Sequence, residues 1–412
     1  MLPIVVVGAG AAGLMAAICA AGRGRPVILI ERTRDGGRKI LISGGGRCNI
    51  LPSAIDPARF VTASSPHSLR NILRSWPLDE QRRFFEEEAD IALTLEVDTG
   101  KFFPVSNSAR HVRDSLVSLA KRRGVNVRFD AVVVDFEPGR AGGGWIVRLR
   151  NGDSVVASAV IVASGGLSVP STGSDGLGLD IVRRLGHSIH PTYPALTPLV
   201  ATPHPQQAPA GVSVTATLDA LGSTRTTKAR GGFLFTHRGY SGPVVLDISH
   251  VVVQSLAAGR PAPIHVSWGG IERRTWEAKL KSNARQVSAV VRDGVPARLA
   301  AALLDDAKID PARRMSELRR QERVSLIERL THYLLPWTDH EGYRKAEVTG
   351  GGVALGEVHP ATLESRIHPG LFLCGEMLDA FGPIGGHNFA WAWATGRAAG
   401  LGAAQSRRTL ER

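Results

Sequence analysis

The feature that most constrains this chain is a glycine triplet, Gly8-Ala9-Gly10-Ala11-Ala12-Gly13, set between two apolar runs of different character. Ile4–Val7 before it is a continuous β-branched run, which suits a strand buried on both faces. Leu14–Ala21 after it is Ala-rich and reads as a helix, stopped by Gly22 and Gly24. Val27-Ile28-Leu29-Ile30 is a second buried strand, closed by Glu31. Together they form one βαβ unit of an α/β fold. Gly8 permits the tight turn, Gly10 lets backbone approach a pyrophosphate, and Gly13 lets helix and strand pack closely. The helix that begins around Ala11 and Ala12 offers free N–H groups and a partial positive charge to phosphates. Glu31, 18 residues beyond Gly13, is placed to accept hydrogen bonds from ribose hydroxyls.

This motif alone leaves NAD and FAD equally open. Two further glycine loops follow apolar strands: Ala163-Ser164-Gly165-Gly166 after Val155–Val162, and Gly375-Glu376 after Leu371–Cys374, with Gly385-Gly386-His387-Asn388 close behind. A long, bent ligand crossing a sheet needs close backbone approach at several strand ends, which glycine allows. Three such loops in this order favour FAD. No second dinucleotide fingerprint is visible: Gly142-Gly143-Gly144 reads as a hairpin-like loop, and Gly173–Gly178 follows a Pro-Ser turn. NAD(P)H therefore either binds transiently as donor, or the flavin is reduced by substrate and reoxidised by oxygen or another acceptor.

Length and texture suggest the domain plan. At roughly 100–200 residues per domain, 412 residues suggest two or three domains. Arg34–Asn49 is glycine-rich and polar and reads as a loop; His111–Arg123 reads as a helix, and Val125–Phe129, Val132–Phe136, Trp145–Leu149 and Val155–Val162 read as strands. Leu177–Leu185 reads as a short helix. From Pro191 the texture changes. Six prolines crowd the stretch to Pro209, Val212–Leu218, Gly231–Phe235 and Val244–Ile248 read as strands, and Arg273–Leu335 has helical period. Buried-strand texture returns after Gly350-Gly351-Gly352, and Phe389–Ala404 reads as a closing helix with Trp391 and Trp393 in the core. The expected plan is a first domain in two parts, residues 1–190 and 346–412, with residues 191–345 inserted as a β-plus-helical substrate or cap domain.

Composition excludes several classes. With 43 % hydrophobic and 21 % charged residues, the chain has ample material for a packed core. Three widely separated cysteines, Cys19, Cys48 and Cys374, argue against a disulfide scaffold, and with no CxxC pair they argue against a zinc ribbon or a dithiol redox centre; no metal is expected. A reducing, cytoplasmic compartment is expected. The uncharged stretch Leu2–Gly22 has no basic start and is broken by Pro3 and glycines, so it reads as neither signal peptide nor membrane span. Lys+Arg exceed Asp+Glu, 50 to 37, a net charge of +13. The basic residues are scattered singles and pairs such as Arg122-Arg123 and Arg319-Arg320, which reads as a solvated surface more than a nucleic-acid interface.

Four stretches give the chain a family resemblance. They are Gly37-Arg38-Lys39-Ile40-Leu41-Ile42-Ser43-Gly44-Gly45-Gly46-Arg47-Cys48-Asn49, Pro170–Gly176, Phe233–Pro243, and Val348-Thr349-Gly350-Gly351-Gly352-Val353 running on to Gly375-Glu376-Met377-Leu378-Asp379 and Gly385-Gly386. With them the chain resembles the aminoacetone-oxidase-like (BaiN/YhiN-type) NAD(P)/FAD-dependent oxidoreductases, within the glutathione-reductase-like FAD-binding superfamily. The resemblance implies a Rossmann-like, glutathione-reductase-type FAD-binding domain. It implies that Gly8, Gly10, Ala11, Ala12, Gly13, Glu31 and Arg32 hold the ADP half, and that Val132 touches adenine through its backbone. Arg38, Lys39, Gly44, Gly45, Gly46, Arg47 and Cys48 would lie near the pyrophosphate and isoalloxazine. Ala163, Ser164, Gly165, Gly375 and Glu376 would line the pyrophosphate and ribityl region. Gly385, Gly386, His387, Asn388 and Phe389 would meet the flavin pyrimidine edge. The chain departs from the family pattern at His387, where an aromatic residue is usual, and at Ile50-Leu51-Pro52, where a second Asn is expected.

The expected function is an FAD-dependent oxidoreductase moving hydride between a small organic substrate and flavin N5. His387 as general base, Cys48 as redox thiol and Tyr240 as a pocket residue are the candidate catalytic side chains. The helix after Asn388 would aim its positive end at the reduced flavin. A nucleic-acid-directed, tRNA-modifying flavoprotein and a non-catalytic flavin-binding protein stand as alternatives. Oligomeric state is not legible.

Overall fold

The computed structural model describes residues 1–139, 144–202, 210–222, 226–281 and 284–406. Gly142, Gly143, Pro203, Pro205 and Pro209 lie outside the described residues. The chain divides into two compact units, Met1–Thr192 with Val348–Arg412, and Tyr193–Glu347.

The first unit is built on a parallel sheet. Its strands are β1 (Ile4–Val7), β2 (Val27–Ile30), β3 (Asn126–Arg128), β4 (Ala159–Val162) and β5 (Leu371–Leu373), in the order β5-β4-β1-β2-β3. The apolar runs that form the central strands are buried on both faces, as parallel strands covered by helices require. Val7 is in register with both Ile30 and Val162, so β1, β2 and β4 end level. From β1 the chain moves outward to β2 and β3, whereas β4 and β5 lie on the other side. The gap between the carboxyl ends of β1 and β4 is therefore the topological switch point, where open α/β sheets bind ligands.

Four helices frame that gap: α1 (Ala11–Ala21), α2 (Arg38–Ile42), α3 (Ala109–Arg122) and α4 (His387–Gln405). α4 lies against α1 through Gly396 and Gly400. A Cβ at either would stand 2.3 Å from a carbonyl oxygen of α1, Ala12 and Ala16 respectively. This close backbone approach brings the end of the chain back onto its first helix.

Three local expectations are corrected. Arg34–Asn49 is not all loop, since it contains α2 and the 3-10 turn Ser43–Gly46; Gly37 enters α2 at φ 61° and Ile40 anchors it in the core. Val155–Val162 is two strands. Ser154–Ala157 pairs antiparallel with Trp145–Leu149, and β4 joins the parallel sheet. Ser158 marks the break, its hydroxyl donating to the carbonyls of Leu2 and Pro3 at 3.1 and 3.2 Å. Val244–Ile248 is not a strand but the start of helix Pro243–Ala257. Pro243 sits in the first turn, where it has no N–H to lose, and burial of the valines outweighs their β preference.

In the second unit a seven-stranded sheet carries the long hairpin Ser213–Leu221 and Thr226–Phe235, flanked by Ile264–Trp268. Val214, Ala216, Leu218, Phe233 and Phe235 point into its core, and helices Arg273–Lys279, Val287–Arg292, Ala297–Asp306 and Arg320–Thr331 complete it. Among the described residues no helix is long and apolar enough to cross a membrane, and no group of three His, Cys, Asp or Glu side chains is placed to hold a metal.

Candidate functional site

Backbone contact builds the switch point. Gly8 turns at φ 99°, and a Cβ there would stand 2.6 Å from the Ala163 carbonyl oxygen of the neighbouring loop. A Cβ at Gly13 would stand 1.8 Å from the Gly8 oxygen, so the turn closes only on glycine. Gly10 differs. A Cβ there would meet nothing within 4 Å, so the residue faces open space. It is the N-cap of α1, makes no side-chain cap, and the first turn holds no acidic residue. The leading N–H groups of α1 are thus left for an anion.

Glu31 closes β2 with 8 % of its surface exposed. One carboxylate oxygen accepts the Ala9 N–H at 2.7 Å; the other accepts the Thr33 N–H and hydroxyl at 2.8 and 2.7 Å. The acid expected to hold ribose thus also braces the glycine turn, and the oxygen facing Ala9 retains accepting capacity. Arg32 pairs with Asp175 and reaches the Gly173 carbonyl, while Arg38 pairs with Asp35 at 3.3 Å. The buried Arg113, missed in the sequence, supports the same loop through the Asp35 and Gly36 carbonyls. Val132 gives its carbonyl to the Arg150 N–H at 2.8 Å.

The loop Gly44-Gly45-Gly46 is left-handed throughout, and a Cβ at Gly45 or Gly46 would meet nothing. Arg47 leaves it to lie over the Phe103 ring, 4.1 Å from the centroid. Cys48 is fully buried in a left-handed conformation, φ 62°. Burial pushes its thiol up to about 12, against a weaker opposing hydrogen bond with Ser43. At neutral pH the thiol is thus protonated, its less nucleophilic form.

The other two glycine loops close on side chains. After β4, Gly165 turns at φ 78° and the Ser164 hydroxyl is buried without a partner among the described residues. After β5, Gly375 turns at φ 79°, gives its N–H to the Thr395 hydroxyl at 3.0 Å and takes the Trp391 indole N–H at 3.1 Å. Trp393 likewise donates to the Ile50 carbonyl at 3.1 Å, and Phe389 stacks on it. Both indoles are core residues with one polar anchor each. Glu376 is bonded to Lys39, Ser168 and Thr349; the last two were not foreseen. Asp379, also unforeseen, takes the hydroxyls and N–H groups of the segment Thr62–Ser64 on one oxygen. The only sequence signal for Thr349 and Asp379 was their place in the quoted strings, because their partners lie far off in the chain.

Gly385 and Gly386, at φ 118° and 93°, lead into α4. Asn388 clamps Gly382 through both N–H and carbonyl, at 2.8 and 3.0 Å. His387 is 5 % exposed, meets the Phe60 ring edge-on and leaves Nδ1 without a partner among the described residues. Burial, helped by the Arg59 charge, lowers its pKa to about 4, so the ring is neutral at pH 7. A base that weak is poorly matched to neutral-pH proton abstraction. Tyr240 belongs to the second unit's core, packed among Phe233 and Phe235 and 2 % exposed.

An uncapped helix start facing open space, glycine backbone at three strand ends and an orphaned polar atom at the head of α4 fit an elongated dinucleotide. The comparisons agree. A 3-dehydro-bile acid delta(4,6)-reductase of Clostridium scindens is 33 % identical over 97 % of this chain and 98 % of its own. A ribosomal RNA dihydrouridine synthase of Escherichia coli is 32 % identical over 95 % of each chain. Among solved structures, a flavocytochrome c3 fumarate reductase matches with TM-score 0.50 at 17 % identity, over 98 % of this chain and 78 % of the other. A 3-ketosteroid delta1-dehydrogenase of Sterolibacterium denitrificans matches with TM-score 0.53 at 12 % identity, over 98 % and 100 %. These two show the fold. The model of the HI0933-like protein Rossmann domain matches residues 2–402, and the chain belongs to that family of FAD-binding oxidoreductases.

Proposed function

We propose that the protein is an FAD-dependent reductase of carbon–carbon double bonds conjugated to a carbonyl group, with NAD(P)H as a transiently bound donor. The observation that carries this reading is the shared chemistry of two relatives matched over nearly the whole chain, a delta(4,6)-reductase of a 3-dehydro-bile acid and a dihydrouridine synthase. A 3-oxo-4-ene and a uracil ring both present an alkene polarised by a carbonyl, and each accepts a hydride at one carbon and a proton at the other.

When bound, FAD supplies the hydride. The chain supplies binding and electrostatics. Gly8, Gly10 and Gly13 with the start of α1 would hold the pyrophosphate, and Glu31 the ribose. α4 starts at an uncapped Gly386, has no acidic residue in its first turn, and so presents a partial positive charge suited to negative charge gathering beside it. Cys48 keeps its proton at neutral pH and His387 is uncharged, so we assign both to packing and positioning.

The substrate class has two readings, one from each relative: a free conjugated small molecule, or a uridine within RNA. The test is anaerobic. The flavin is reduced, then mixed with a 3-oxo-4-ene steroid acid, a uridine-containing RNA, or the saturated analogue of each, and return of the visible flavin band is followed. Reoxidation by one conjugated substrate and by neither saturated analogue supports the proposal. Flavin that stays reduced with both conjugated substrates and returns to the oxidised form only when oxygen is then admitted overturns it. Steep loss of RNA binding between low and physiological salt marks the RNA reading.

A further inference from the structure

Reduction of a conjugated double bond consumes a proton as well as a hydride, and none of the side chains assigned so far is suited to deliver it. Cys48, pushed up to about 12, is too weak an acid, His387 is a buried neutral ring, and Tyr240 is sunk in the core of the second unit. One other pair in the first unit has the right chemistry. His190 turns Nε2 toward the Asp379 carboxylate at 3.6 Å, within ion-pair distance when the ring carries its proton. The imidazole is 34 % exposed and the carboxylate 3 %. Nδ1 of His190 has no hydrogen-bond partner among the described residues. A carboxylate that orients a histidine through one ring nitrogen leaves the other nitrogen free to exchange a proton with a reactant.

The pair is fixed by several segments of the first unit. Asp379 lies on the loop that leaves β5 at Gly375-Glu376 and reaches α4 at Gly385-Gly386, so it is strung between two of the glycine stretches. Its N–H donates to the Val353 carbonyl at 2.9 Å, and its Oδ2 collects the donors of Thr62–Ser64. Beside it Val61 and Phe381 exchange both backbone hydrogen bonds, at 2.8 and 3.1 Å, and Phe60 continues the contact to His387. The backbone of His190 is held as tightly. Its strand, Ile189–Ala195, pairs with Val348–Val353, and a Cβ at Gly351 would stand 2.2 Å from the Pro191 oxygen and 3.0 Å from that of His190. Gly351 is at φ 73°, so both its conformation and its surroundings call for glycine. A Cβ at Gly352 would stand 2.5 Å from the Met377 oxygen, which seats the same strand on the loop of Asp379. A buried, multiply bonded carboxylate thus faces a partly exposed imidazole on a rigid frame, next to the loop that runs into the head of α4.

We infer that His190 is the catalytic acid of the reduction, giving a proton from Nδ1 to the substrate, and that Asp379 is the positioning residue that holds it through Nε2. This role rests on the reductase reading above. The hydride forms a C–H bond at the alkene carbon remote from the carbonyl, and the π pair of the double bond shifts onto the carbonyl-conjugated side as an enolate. The carbon next to the carbonyl then forms its C–H bond with the proton of His190. The substrate has gained two electrons and two hydrogens, the flavin has lost the hydride, and His190 is left neutral. Its exposed edge takes the next proton from solvent. If Asp379 acts only by holding His190, its substitution has nothing further to remove from the proton transfer once His190 is gone.

The test uses the full chain loaded with FAD, as wild type, His190→Gln, Asp379→Asn and the double variant, with circular dichroism and flavin content establishing that each is folded and loaded. His190→Gln alters a partly exposed side chain, so it answers the question even where Asp379→Asn disturbs Thr62–Ser64. Two readouts are taken. In the first, anaerobically reduced protein is mixed with whichever of the 3-oxo-4-ene steroid acid and the uridine-containing RNA reoxidises wild type, and separately with oxygen. We expect His190→Gln to slow reoxidation by the conjugated compound on the order of a hundredfold or more while reoxidation by oxygen stays within about threefold. Asp379→Asn should lose part of that rate, and the double variant should be no slower than His190→Gln. The second readout needs no turnover. Oxidised wild type is treated with diethyl pyrocarbonate, and the same conjugated compound should slow modification of His190 several-fold while leaving the exposed His111 of α3 unchanged. A His190→Gln protein that reoxidises at the wild-type rate overturns the role, and so does a loss shared equally with oxygen. Modification of His190 at one rate with and without the compound overturns it as well, and a double variant whose loss is the product of the single losses overturns the part given to Asp379. If FAD-loaded wild type passes electrons to neither conjugated compound, the reductase reading itself fails and the role of His190 falls with it.

Discussion

The Glu31 carboxylate receives the Ala9 N–H at 2.7 Å, so the acid that ends β2 clamps the glycine turn that follows β1. The turn therefore has its shape before a nucleotide arrives. Glu31→Ala strands this N–H and removes the Thr33 contacts. Leaving a buried donor unsatisfied costs about 1–3 kcal/mol. Denaturant unfolding of the FAD-free protein should show a loss of that size. No loss would mean the clamp is dispensable and Glu31 acts on ligand alone.

Acid should weaken the protein through His387. Its folded pKa of about 4 lies below the ordinary histidine value of 6.5, so between these pH values the unfolded chain binds a proton that the folded one refuses. Stability is full above about pH 6.5 and falls as pH drops toward 4, by on the order of 3 kcal/mol. His187, lowered by burial in spite of Glu357, contributes in the same direction. In His387→Phe the slope of unfolding free energy over that window should shrink. An unchanged slope would show that the ring is not held neutral.

Cys48 should be chemically quiet. Its burial and raised pKa predict slow alkylation in the folded protein, and Cys48→Ala should keep flavin reduction and reoxidation within about threefold of wild type. Rapid alkylation of folded protein, or a hundredfold loss of turnover in the variant, would restore the redox role.

Gly396→Ala tests the contact of the two helices. The added Cβ would stand 2.3 Å from the Ala12 oxygen, which α4 can avoid only by moving off α1. Overpacking of this kind costs roughly 1–3 kcal/mol. Because Thr395 and Trp391 tie the same helix to Gly375, FAD affinity should fall with stability. A variant as stable as wild type would indicate that α4 has slack.

The parallel core was legible because its signals are local: apolar runs, glycine turns and a helix between them at fixed spacing. Glu31 and the three glycine loops were legible for the same reason. Val244–Ile248 was not, since a buried helix and a buried strand share one apolar composition and only tertiary packing separates them. Ser168 and Thr349 were not, since their partner Glu376 is distant in sequence and no pattern in the chain encodes the meeting. Cys48 and His387 were visible as residues, but not as a protonated thiol and a neutral ring, because burial sets those states.

The most direct test of the account is FAD titration of Gly10→Val beside wild type. The new side chain meets no protein atom within 4 Å of its Cβ, so the fold is preserved, yet it projects where the nucleotide must approach. Wild type should take one FAD per chain and turn yellow, and the variant should unfold at the wild-type temperature while binding FAD at least tenfold more weakly. A wild type that remains colourless with FAD in excess, or a variant that binds it equally well, would contradict the claim that this turn cradles a flavin nucleotide.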